Sequence, residues 1–143
     1  MSKREEILSA VVSALQTLSA TIDRDIDYPV HVSPNGAVIV RSAAPEILDE
    51  TLGYPRSYYM GMDIPLELYV TGNTPAERAN KFDLLATKSY TALIGDLDLL
   101  SNLNYIEPLL LEPETAGGNE GEQTFACAQM TVHVEYLSET SIG

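Results

Sequence analysis

The chain is poor in the groups that carry most protein chemistry: its 143 residues include one cysteine, two histidines and no tryptophan. A single cysteine excludes an internal disulfide. With Cys127, His31 and His133 as the whole stock of thiol and imidazole, a zinc site would have to recruit carboxylates. Basic residues are scarce as well, 8 Lys and Arg against 21 Asp and Glu, for a formal net charge of -13. So acidic a surface argues against general adhesion to DNA or to an anionic membrane. No apolar run approaches the roughly 20 residues of a membrane-spanning helix. Met1 to Leu8 mixes both charge signs and leads to no small-residue cleavage site, so no leader is expected and the compartment reads as a reducing cytoplasm.

What is present suits one globular domain over residues 1–143. Hydrophobic residues make up 45% of the chain, the share of an ordinary packed core. Ser2 and Glu5 stand as a capping box, and Ile7, Leu8, Val11, Leu15, Leu18 and Ile22 follow at helical steps. The spacing predicts an amphipathic helix that ends at the acidic segment from Asp23 to Tyr28. Val30 to Val32 and Ala37 to Arg41 read as short strands around a Pro34-Asn35-Gly36 turn.

From Tyr58 to Val70 every even position is apolar, which predicts a long strand with one buried face. Pro65 within it requires a sheet edge or a bulge. Thr74 and Glu77 form a second capping box with Pro75 at the first helical position, and Ala79, Phe82, Leu85, Ala86, Ser89, Leu93 and Ile94 make the inner stripe up to a stop at Gly95. Asp96 to Leu103 reads as a further helical turn, and Tyr105 to Leu111 as a strand broken by Pro108. Ala126 to Tyr136 alternates again as a last, half-buried strand. The order helix, strands, helix, strands predicts an α+β fold, a mainly antiparallel sheet with two helices packed on one face.

Two segments lack a period. Residues 42–57 hold small residues, acids and prolines and read as a long arm, and the Gly- and Glu-rich stretch at 112–123 reads as a flexible acidic loop. Loops of this length are often functional. Tyrosine outnumbers phenylalanine eight to two, and Tyr54, Tyr58, Tyr59 and Tyr69 gather in and after the arm. Leu52, Tyr54, Pro55, Tyr58 and Tyr59 form a candidate oligomer interface, partly apolar and partly wet.

The chemical motifs are weak. Asp23, Asp25 and Asp27 have the spacing that opens a calcium loop, but Tyr28 replaces the required Gly and Pro34 the bidentate Glu, so they read as a solvated acidic turn. Gly117, Gly118 and Gly121 lack the strand-to-helix setting and the Lys of a phosphate cradle. Cys127 and His133 have no evident partners in the sequence and read as ordinary strand residues. No catalytic residue, metal site or cofactor is expected.

Taken in order, several segments resemble a known family. These are the opening Arg4-Glu5-Glu6-Ile7-Leu8, the strand Gly36 to Arg41, and the acidic run through Glu46, Asp49 and Glu50 into Leu52-Gly53-Tyr54-Pro55-Arg56-Ser57-Tyr58-Tyr59. A Thr-Pro-Ala-Glu-Arg helix with Phe82-Asp83-Leu84-Leu85 and a last strand ending Val132-His133-Val134-Glu135-Tyr136 complete the set. The pattern is similar to that of the small tail terminator (tail completion) proteins of long-tailed bacteriophages and prophages. The resemblance implies a structural protein rather than an enzyme. It would form a hexameric ring on the head-proximal end of the tail tube, stop tube polymerisation and offer the surface to which the head attaches. Its partners would be its own copies, the tail tube protein and head-tail connector proteins, with DNA passing through the channel, no membrane, and the virion tail as its location. Glu114, Glu120 and Glu122 become candidates for a channel lining. Two alternatives stay open: a head-closure or connector-adaptor protein, and a small-molecule-binding or enzymatic domain with its pocket between the second helix and the sheet.

Overall fold

Ser2 starts the first helix by accepting the Glu5 N–H on its Oγ at 3.1 Å. The computed structural model describes residues 2–26, 34–51, 56–110 and 124–143. Helix α1 spans Lys3–Leu15 and buries Ile7, Leu8, Val11, Ala14 and Leu15. It ends a full two turns before the expected Ile22. Thr17 Oγ1 bonds the Ala14 carbonyl at 2.9 Å and Leu18 N–H bonds the Leu15 carbonyl at 2.9 Å, tightening and closing the last turn. Leu18 still packs on the core, but Ile22 lies in a strand, β1 (Thr21–Arg24). Glu5 completes only half of a capping box, because its carboxylate forks with the Arg24 guanidinium instead of returning to Ser2.

The remaining elements are β2 (Ala37–Val40), β3 (Glu46–Glu50), β4 (Tyr58–Gly72), α2 (Pro75–Gly95), α3 (Leu97–Leu100), β5 (Tyr105–Leu110) and β6 (Thr124–Ser138). The sheet runs β1-β2-β4-β6-β5, with β3 also on β4. The β1–β2 pair is parallel and every other pair is antiparallel. This is the expected α+β fold with a mainly antiparallel sheet. Even-numbered residues of β4 from Met60 to Val70 are no more than 2% exposed, and with Ala128 to Tyr136 of β6 they meet α1, α2 and α3 in one core. The expected Val30 to Val32 strand lies outside the described residues.

Both prolines sit where the ladder loses little. Arg41 N–H donates to the Pro65 carbonyl at 2.9 Å, so Pro65 turns its polar side toward the junction between β2 and β3 and away from β6. Carrying that alternation across β6 turns the Pro108 imide to the outer edge of β5. The strand therefore runs unbroken through Pro108, paired with β6 from Tyr105 to Leu110, and the break expected there does not occur.

Thr74 caps α2 by accepting the Glu77 N–H at 3.1 Å, and Pro75 opens the helix. Its inner stripe is Phe82, Leu85, Ala86, Ser89 and Leu93; Ala79 and Ile94, expected with them, are exposed. Gly95 is the last helical residue. Asp96 then leaves the helix in an extended conformation and caps α3 by accepting the Leu99 N–H at 2.8 Å. Gly36 has φ +100° and no room for a side chain, since a Cβ there would lie 2.8 Å from Leu85 Cδ2. This close approach sets the start of β2 beneath α2.

Candidate functional site

The arm is not featureless. Its Glu46–Glu50 portion is strand β3, which pairs with the first residues of β4 and shifts register between Ile47 and Asp49. All five of its residues are exposed, so it shows no buried-exposed alternation for a sequence pattern to reveal. Thr51 and Ser57 close its base, with Thr51 N–H to the Ser57 carbonyl and Ser57 N–H to Thr51 Oγ1 each at 2.9 Å. Leu48 rests on Gly61, where an added Cβ would come within 2.9 Å of its Cδ1.

Of the expected interface residues, Leu52, Tyr54 and Pro55 lie outside the described residues. Tyr58 and Tyr59 are half-buried at the start of β4. Tyr58 packs on the core, and Tyr59 donates its hydroxyl to Glu135 Oε1 at 2.7 Å. Among the described residues of the arm, the large apolar side chains exposed to solvent are Ile47 and Leu48, at 46% and 42%. An Ile-Leu pair enclosed by acids was their only signal in the sequence. The candidate channel residues Glu114, Glu120 and Glu122 also lie outside the described residues.

The odd-numbered face of the sheet, opposite the helices, carries polar networks. His133 bridges two strands, its Nδ1 2.6 Å from Asp63 Oδ1 on β4 and its Nε2 2.8 Å from Glu135 Oε2 on β6. Hydrogen bonds to Glu135 and then to Asp63 raise its pKa, while Glu135 is held low by His133 and Tyr59. When protonated, the ring can donate one hydrogen bond to each carboxylate and tie β4 to β6. Tyr105 of β5 stands edge-on to it with ring centroids 6.1 Å apart, and Tyr105 in turn bonds Glu107.

Further along the same face Arg41 grips Glu67 with two bonds, Nε to Oε2 at 3.0 Å and Nη2 to Oε1 at 2.9 Å, and Tyr69 donates to the same carboxylate at 2.9 Å. Arg41 holds Glu67 below the usual carboxylate range, and burial together with Glu67 pushes the Tyr69 phenol up. Cys127 lies half-buried opposite Tyr69. Asp25, from the acidic turn, accepts the Ser42 backbone N–H at 2.8 Å as well as its hydroxyl, and Arg24 stands beside it at 3.4 Å. Among the described residues, no group of three His, Cys, Asp or Glu side chains is arranged to hold a metal.

On the helical side a small apolar groove of about 190 Å³ lies between α2 and the turn from α1 to β1. Leu18, Ala20, Leu84 and Leu85 line it, with Lys81 and Lys88 at its border. No family model matches the chain, and a search of curated proteins finds no match. Among the described residues no helix is long and apolar enough to cross a membrane.

Proposed function

We propose that the protein is a virion assembly component of the tail-terminator type, a ring of six copies that caps the head-proximal end of a phage tail tube, stops its growth and receives the head. The observation that carries this reading is β3. A monomer holds out a five-residue strand with every side chain exposed, two of them large and apolar, and soluble proteins usually shield such an edge or use it for pairing. A ring is the closed form of such a contact, in which one patch meets a different patch on the next copy. The acidic balance of -13 supports the same reading, since a negatively charged ring lets DNA slide through without adhesion.

The test is polymerisation of the tail tube subunit from the same genome, with and without this protein. The expected result is shorter tubes carrying a ring at one end in negative-stain images. Unchanged tube lengths, with no protein retained at the ends, would overturn the proposal. Retention on the head connector instead of the tube would assign the chain to head closure.

A further inference from the structure

We propose that β3 of one subunit docks into the groove between α2 and the α1–β1 turn of a second copy. The proposal rests on the reading of the chain as self-assembling and names the two surfaces that meet. One is acidic and apolar: Ile47 and Leu48 are exposed among Glu46, Asp49 and Glu50, all five in solvent. The other is basic and apolar: the groove is lined by Leu18, Leu84 and Leu85 and bordered by Lys81 and Lys88, with Leu84 54% exposed.

The charges complement each other in a chain that has few cations to offer. Of 8 Lys and Arg, Arg24 and Arg41 are committed to Glu5 and Glu67 across the fold. Among the described residues, Lys81 has one ion pair, a 3.4 Å contact one helical turn away to Glu77. Such an i,i+4 pair is worth a few tenths of a kcal/mol and yields readily to a better partner. Lys88 is exposed and has no ion pair among the described residues.

The two surfaces cannot meet within one molecule. β3 pairs with Tyr58 to Gly61 at one end of β4, whereas the groove adjoins Gly36, whose nearest neighbours include Tyr69 and Val70 at the other end. Ten residues of strand from Tyr59 to Tyr69 separate them by about 33 Å. A contact between opposite ends of the sheet is head-to-tail and leaves each subunit with one arm and one groove to offer, the kind of contact that makes a ring when the rotation between neighbours closes. Long-range repulsion between acidic subunits falls off beyond roughly 8 Å at physiological ionic strength, while ion pairs that the contact buries are screened much less.

Charge reversal tests the pairing. An arm variant, Glu46→Lys with Asp49→Lys and Glu50→Lys, and a groove variant, Lys81→Glu with Lys88→Glu, are each measured by light scattering beside the unaltered chain, with circular dichroism to confirm folding. Each variant alone is expected to lose the oligomer. An equimolar mixture should regain it, since the basic arm fits the acidic groove and the acidic arm the basic groove in an alternating ring. The arm variant carries less net negative charge than the parent, so its failure to assemble would not come from added repulsion. As a second measurement, Ile47→Cys with Leu84→Cys in a Cys127→Ser background should yield disulfide-linked multimers on oxidation. Assembly of the separate variants, or no recovery on mixing together with no cross-link, would overturn the docking while leaving self-assembly standing. A parent chain that stays monomeric throughout would overturn both.

Discussion

Leu48 lies on the bare Cα of Gly61, so close that a methyl group there would meet its Cδ1 at 2.9 Å. This contact seats the arm on the first residues of β4. Gly61→Val is expected to lift β3 off the sheet. Protease should then cut between residues 42 and 51 at least several-fold faster, with the melting temperature almost unchanged. Equal cleavage rates would mean that the Thr51–Ser57 clasp alone holds the arm.

Leu85 is 3% exposed and Phe82 9%, both on the inner stripe of α2. Truncation of either to Ala should cost about 2–5 kcal/mol in denaturant melts. That is a large part of a stability of roughly 5–15 kcal/mol. A loss of under about 1 kcal/mol at both sites would contradict the packing described.

Ser89 is fully buried on the same stripe, and its Oγ has no hydrogen-bond partner among the described residues. A buried hydroxyl without a partner costs about 1–3 kcal/mol. Ser89→Ala removes it and improves helix propensity. The variant is therefore expected to be as stable as the parent or more stable by about 1 kcal/mol. A clear destabilisation in the same melts would show that the hydroxyl is satisfied.

The His133 tie gives a pH dependence of definite sign. Its folded pKa is raised, so its contribution is fully present below the unfolded value of about 6.5 and is lost as pH rises through the folded one. Glu135 is shifted down, so its contribution is present above about 4.3, the ordinary Glu value, and is lost on acidification through its folded pKa. Between these limits the bridge is strongest. An NMR titration should place His133 above 6.5, and Glu135→Gln or Asp63→Asn should bring it down. A His133 titration at or below the ordinary value would contradict the bridge.

Elements with one buried face were legible in the sequence. The even positions of β4, the Thr74 cap and the stripe through Phe82, Leu85 and Leu93 all fell where their periods placed them. Period says nothing about what lies across a sheet. Ile22 continued a helical spacing by coincidence, while Thr17 and Leu18 had already closed α1 and left Ile22 to pair with Val38. β3 is exposed on every residue and so offered no alternation. Pro108 looked like a break because only the register with β6 reveals that its imide faces outward. His133 looked isolated because Asp63 is 70 residues away and reaches it only through the β4–β6 register.

The most direct test of the central claim, that this chain is a ring-forming subunit, is its mass in solution by light scattering at high protein concentration across a salt series. With a net charge of -13 per subunit, mainly monomer is expected at low salt. As salt screens that charge, a single species of six copies should appear, visible as rings in particle images. A monomer or two-fold dimer at every salt concentration, and on assembled tail tubes as well, would contradict it.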